Sequence, residues 1–243
     1  MTTQIQKGLQ VLQSKGLLRF IRTVSRYIYG NYLTQLPLLD SPTYNGVTVR
    51  ISHFPWEDSS EPQYESALVD GLEKHVRTGD TVVIVGGGYG VTAVRAAKKV
   101  SKQGKVIVFE GSRTHVRKTR ETARLNSVGD IIEVNHRIVG PAKAVYGDDN
   151  EENIQRIQPY ELPECDVLEL DCEGAEIEIL RNLPQKPREI LVETHGVYDA
   201  PTDQVCSILG NMSYEIRSEN IAEKNKEEFC VENDIRVLVA SRS

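Results

Sequence analysis

The clearest feature along the chain is a run of short apolar segments, each followed by a helical pattern. Val82-Val83-Ile84-Val85 is continuously apolar, which reads as a strand buried on both faces. It predicts a strand over 81–85 and a helix over about 90–102. Lys105 to Phe109 predicts the next strand, ending in Glu110, and Ser112 caps a helix running to about Asn126. A strand from Ile131 to Val134, reaching toward Val139, follows. After a polar, loop-like stretch over 140–163, with Asp148 to Glu152 read as mobile, strands at 166–170 and 188–193 alternate with helices at 174–182 and 202–211. Two last strands fall at about 213–218 and 235–241. Upstream, Val47, Val49 and Ile51 alternate as a short strand, Pro55 to Pro62 is loop, and Glu65 to Val76 is helical.

Strands alternating with helices predict an α/β fold, a doubly wound and mostly parallel sheet. Such sheets bind ligands beyond the carboxyl ends of their strands. The chemistry is therefore expected at Gly86–Gly90, Glu110, Asp171–Glu176 and Glu193–His195.

Residues 3–29 carry a different pattern. Ile5, Leu9, Leu12, Leu17, Phe20, Val24 and Ile28 recur at helical spacing with bases between them, and Tyr27, Tyr29 and Tyr32 follow. Pro37, Pro42 and the Asn45-Gly46 turn then break the chain. We read residues 1–45 as a basic amphipathic helical extension and 46–243 as the catalytic domain. Residues 3–32 are a candidate peripheral membrane contact.

Charge sharpens this division. The net charge is −6, but residues 1–39 hold five bases and no acid, so the other 204 residues carry −11. An acidic body argues against a nucleic-acid partner. Cysteines at 165, 172, 206 and 230 form no Cys-x-x-Cys and no His-Cys cluster, so no metal is expected, and free thiols suit a reducing compartment. With no signal-peptide pattern, a cytoplasmic location is the expectation.

Gly86-Gly87-Gly88-Tyr89-Gly90 follows a strand directly. Two frames compete there. Gly88-Tyr-Gly90-Val-Thr-Ala93 is formally a dinucleotide loop, whereas Gly86, Gly88 and Gly90 give the G-x-G-x-G of S-adenosylmethionine loops. Glu110 suits a ribose diol in either case. The block Asp171-Cys-Glu173-Gly-Ala-Glu176 discriminates between them, because three carboxylates in six residues suit a sulfonium or ammonium ligand.

The glycine loop, Phe109-Glu110, Asn126, the Asp171–Glu176 block and Ile190-Leu-Val-Glu-Thr-His195 together resemble the FkbM family of S-adenosylmethionine-dependent methyltransferases, over about residues 60–200. The resemblance implies the class I methyltransferase fold, a Rossmann-like seven-stranded sheet with an antiparallel last strand. It also implies S-adenosyl-L-methionine as cofactor and methyl transfer to a hydroxyl of a sugar, glycan or other small molecule. Carried onto this chain, Gly86, Gly88, Tyr89 and Gly90 approach the cofactor, with Glu110 and Gly111 at its ribose. Arg137 and Ile138 border the adenine, while Asp171 and Glu173 face the methionine end. His195 is the expected proton acceptor, beside Glu193, with Asp171 as the second catalytic candidate; Tyr198 and Asp199 line the acceptor side.

One departure stands out. Families of this kind place an acid two residues before the first loop glycine, where this chain has Ile84. A catalytically inactive binding module with a methyltransferase fold is therefore one alternative. An NAD-linked oxidoreductase using the Gly88–Ala93 frame is the other, although no Tyr-x-x-x-Lys pair supports it.

Overall fold

Apolar runs of two to four residues become the centre of the sheet. The computed structural model describes residues 42–49, 60–140 and 154–242. The helix read over 3–29, the tyrosines after it, Ile51, most of the Pro55–Pro62 loop and Asp148–Glu152 lie outside these residues. The described residues, Pro42 and Ser60 apart, fall in one unit made of Thr43–Val49 and Glu61–Ser243.

A hairpin of β1 (Thr43–Tyr44) and β2 (Val47–Thr48) turns at Asn45-Gly46 and leads the unit. Helix α1 (Ser66–His75) precedes β3 (Thr81–Val85), and α2 (Val91–Val100) leads to β4 (Lys105–Glu110). Then come α3 (Arg113–Leu125), β5 (Ile132–His136), β6 (Ile138–Val139), β7 (Arg156–Ile157) and β8 (Val167–Leu170). The chain continues through α4 (Glu176–Arg181), β9 (Glu189–His195), α5 (Thr202–Asn211), β10 (Tyr214–Ile221), α6 (Glu227–Glu232) and β11 (Ile235–Arg242).

The main sheet has seven strands in the order β10-β11-β9-β8-β3-β4-β5. Neighbours from β9 to β5 pair in parallel, and β11 runs antiparallel to both β9 and β10. This is the mostly parallel α/β sheet, with an antiparallel last strand, that the class I methyltransferase fold requires.

Alternation along each strand divides the core into two layers. Val83, Val85, Leu168, Leu170, Ile190 and Val192 pack with Ile179, Leu180, Val205 and Leu209 of α4 and α5. On the other face α1 lies close to β9. A methyl added to Gly71 would stand 2.8 Å from Leu191, so a small residue is needed there for the approach. Ser112 caps α3 as expected, accepting the His115 N–H at 3.3 Å. Asn126 donates to the Thr48 carbonyl at 2.8 Å and so ties the first hairpin to the end of α3.

Four local expectations change. The strand after β5 does not continue toward Val139; Ile138–Val139 pairs with Arg156–Ile157 in a separate two-stranded sheet. That second strand falls in a stretch read as loop, because two-residue strands leave no periodicity to detect. The hairpin's second strand, β2, ends at Thr48, so the expected alternation of Val47, Val49 and Ile51 does not extend it to Val49. Helix α6 was invisible because its large apolar residues do not share a buried face: Phe229 and Val231 are both more than half exposed. Among the described residues, no helix is long and apolar enough to cross a membrane.

Candidate functional site

The connections leave β3 and β8 in opposite directions, one toward β4 and the other toward β9. Their loops part at the carboxyl edge and leave a crevice between them. A cavity of about 380 Å³ occupies this position. Of the residues expected to hold a cofactor, all but Gly90 line it. Gly90 instead starts α2 with φ +82° and packs against Thr119 of α3, where a Cβ would come within 2.9 Å of the Thr119 Cα. Its glycine serves helix packing. Gly86 has a different constraint. Its φ is +99°, and a Cβ there would lie 1.7 Å from the Asp171 carbonyl oxygen. The β3 and β8 loops therefore touch backbone to backbone, and only glycine fits.

On the β4 side, Glu110 is built into the loop. Its Oε2 accepts the N–H groups of Gly87 and Gly88 at 2.8 and 3.0 Å, and its Oε1 accepts that of Ser112 at 2.7 Å. Charge-assisted bonds of this kind hold both the carboxylate and the glycine loop in place. Gly111 is fixed through its carbonyl, 2.9 Å from His136 Nε2. Arg137 and Ile138, just past β5, close the same wall. Tyr89 meets Tyr44 and Tyr64 edge-on, with ring centroids 5.3 and 5.9 Å away. Lys118 Nζ lies 4.1 Å over the Tyr89 ring centroid.

The β8 and β9 side is built on charge. Asp171 follows β8, and burial together with the negative charge of Glu176 and Glu110 raises its pKa to about 6, although His195 pulls the other way. Glu173 is pushed to about 9 by burial and by the charges of Asp171, Glu110 and Glu176. Glu193 is raised well above its ordinary range by burial and by Asp171 and Glu65. Beneath them, Glu169 is 1% exposed and raised to about 8, chiefly by burial.

His195 ends β9 outside the cavity lining and reaches it through Asp171. Its Nδ1 lies 3.0 Å from Glu176 Oε1, and its Nε2 lies 3.6 Å from both Asp171 Oδ1 and Glu193 Oε1. Glu176, fully buried, also accepts the N–H groups of Cys172 and Gly174. Glu193 is the expected orienting partner, but the Nδ1 bond goes to Glu176. Burial opposes protonation of His195, yet the Glu176 bond and the Asp171 charge outweigh it, so its pKa is raised. Asp171, Glu193 and His195 also offer ligand atoms within 4.8 Å of one another, a spacing suited to a divalent cation. The Tyr198 ring stands 6.1 Å from that of His195.

Sequence reasoning did not single out Tyr64 and Glu65, which line the cavity from the start of α1. An aromatic–acid pair ahead of a helix was the only signal available, and it is a weak one.

No protein-family model and no curated protein matches the chain. Solved structures do align with it. Precorrin-6y C5,15-methyltransferase from Geobacter metallireducens is 11% identical at a TM-score of 0.49, covering 75% of this chain and 89% of its own. A SAM-dependent O-methyltransferase from Thermotoga maritima is 16% identical at 0.48, covering 75% and 65%. Aeropyrum pernix fibrillarin, solved with S-adenosyl-L-methionine, is 16% identical at 0.46, covering 68% of each chain. These are likenesses in the course of the chain.

Proposed function

We propose that this chain is an S-adenosyl-L-methionine-dependent methyltransferase of FkbM type, acting on a hydroxyl of a sugar, glycan or other small molecule. One observation carries the reading. The cavity at the sheet's switch point joins a glycine loop and the Glu110 carboxylate to buried acids, of which Glu65 and Glu173 have other acids as their strongest charged neighbours. A cation favours the ionised form of such acids and takes the place of their protons, whereas a pyrophosphate does the reverse. The Gly87 and Gly88 N–H groups, which a dinucleotide's phosphates would need, are already bonded to Glu110. That weighs against the NAD-linked oxidoreductase.

The donor set suits an adenosyl ligand. Glu110 faces the cavity from β4 for a ribose diol, and Arg137 and Ile138, just past the neighbouring β5, line it for a base. When bound, S-adenosyl-L-methionine supplies a methyl group already activated by its sulfonium. The protein's task is then placement and proton removal. Glu176 holds the Nδ1–H of His195, which turns Nε2 toward Asp171 and the cavity edge. In its neutral form, Nε2 takes the proton of the acceptor hydroxyl. Asp171 lies beside both the cavity and Nε2, where it steadies the imidazolium that forms.

The test is calorimetric titration with S-adenosylhomocysteine and, separately, NAD. Saturable one-to-one binding of S-adenosylhomocysteine is expected, weakened in Glu110→Ala. Binding of NAD alone would overturn the reading. Binding of neither would favour a module that kept the fold and lost the chemistry.

A further inference from the structure

The position two residues before the first loop glycine carries Ile84, which is fully buried. Its register partner on β8 is Glu169, whose Oε2 is buried without a hydrogen-bond partner. No acid reaches the glycine loop from β3. One reaches it from α1 instead. A Cβ built on Gly88 would stand 3.5 Å from Glu65 Oε1 and 3.5 Å from the Tyr64 hydroxyl. Both groups therefore lie directly over the face of the loop that opens into the cavity, and both line that cavity with Gly86 and Asp171.

The local backbone fits this placement. Glu65 occupies the N-cap position of α1 at φ +47°, ψ +36°, yet its side chain caps nothing. Carboxylates at that position ordinarily bond to the helix's own N–H groups. Here the side chain turns away and accepts a hydrogen bond from the Tyr64 hydroxyl. Burial is the main force on Glu65, followed by the charges of Asp171, Glu169 and Glu223, all negative. Tyr64 stacks tilted on Tyr44 at 4.8 Å and edge-on to Tyr89 at 5.9 Å, so the carboxylate has an aromatic wall beside it. A carboxylate over a glycine loop, with no base to pair with among the described residues and with aromatic rings beside it, is a receptor for a compact cation.

We propose that Glu65, with the Tyr64 hydroxyl, binds the ammonium group of the amino-acid tail of the adenosyl ligand, in place of the acid missing at Ile84. This rests on the cofactor reading above. It makes Glu65 a binding residue that tells ligands carrying an amino acid from those lacking one.

Ligand truncation tests it with the full chain. S-adenosylhomocysteine carries the amino-acid tail, decarboxylated S-adenosylmethionine keeps the ammonium without the carboxylate, and 5′-methylthioadenosine lacks both. Titration calorimetry of wild type and Glu65→Gln with all three should show affinity for the first two falling about 10–100-fold in the variant. Affinity for 5′-methylthioadenosine should stay within about twofold. Equal weakening of all three ligands, or of none, overturns the proposal. Wild-type protein that binds none of the three overturns the cofactor reading itself. Should Glu65→Gln fail to fold, Tyr64→Phe carries the test with the same ligand selectivity and a smaller loss, about threefold.

Discussion

After β4, Glu110 gives its two carboxylate oxygens to three backbone N–H groups. After β8 and β9, and at the start of α1, Asp171, Glu173, Glu193 and Glu65 face one another instead, and each is raised by burial and by its neighbours' charge. The two halves of the same sheet edge thus handle negative charge differently. One half pairs an acid with three N–H donors and uses it to shape a loop. The other gathers several acids around few positive partners among the described residues, His195 being one, and protons or a cation relieve their repulsion. Structure is held by the first half, and in the proposed function the second reads the ligand's charge. Glu176 shows that satisfaction is also available on the second side, since it accepts three N–H donors. The shortage at the other acids is a property of their positions.

The contrast breaks first at the contact between the halves. Gly86→Ala drives a Cβ into the Asp171 carbonyl, and the expected loss is more than about 4 kcal/mol of unfolding free energy, read by urea denaturation. A variant of wild-type stability would mean that the loops part easily. Next is the chemistry of the charged half. His195→Ala should lower turnover about 10²–10⁴-fold while S-adenosylhomocysteine affinity stays within a few fold. Because the neutral ring is the working form and its pKa is raised, wild-type turnover should be low below about 6.5, the ordinary histidine value, and rise above it. Full turnover in the variant sinks the role. Turnover abolished by EDTA and restored by Mg²⁺ would instead make the Asp171–Glu193–His195 group a cation site.

Glu110→Ala comes third. It strips acceptors from three N–H groups, and a loss of about 2–4 kcal/mol is expected, smaller if cavity water replaces the carboxylate. The smallest effect has the opposite sign. Glu169 has its folded pKa near 8, raised from 4.5, so the folded state holds the extra proton between those values. Wild-type stability should therefore fall as pH rises from about 4.5 to 8. Glu169→Gln should flatten that slope and gain about 1–2 kcal/mol at the upper end. Denaturation series at both pH values check it; an unchanged slope would place the surplus charge elsewhere.

These two halves were not equally legible. Val82–Val85, the glycines, Glu110 and the Ser112 cap announce themselves because each signal is local: an apolar run, a residue without a side chain, an acid at a strand end. The Asp171–Glu176 block was equally visible as residues, but the division of labour within it was not. Glu193 is two residues from His195 in sequence, yet successive side chains on a strand diverge. Glu176, on another element, makes the Nδ1 bond. Gly90 looked like its neighbours and turned out to face α3. Glu65 lies far from every motif and entered the site only because α1 sets its first residues over the glycine loop.

The order of strands and helices, the α/β class and the kinds of groups at the strand ends followed from the sequence, since they depend on periodicity and residue chemistry over a few positions. The tertiary structure decided which loops touch, which acid each histidine nitrogen meets and which side chains lie over the glycine loop. Those outcomes depend on parallel pairing between strands distant in sequence and on helices packed across the sheet, and no local pattern encodes such contacts.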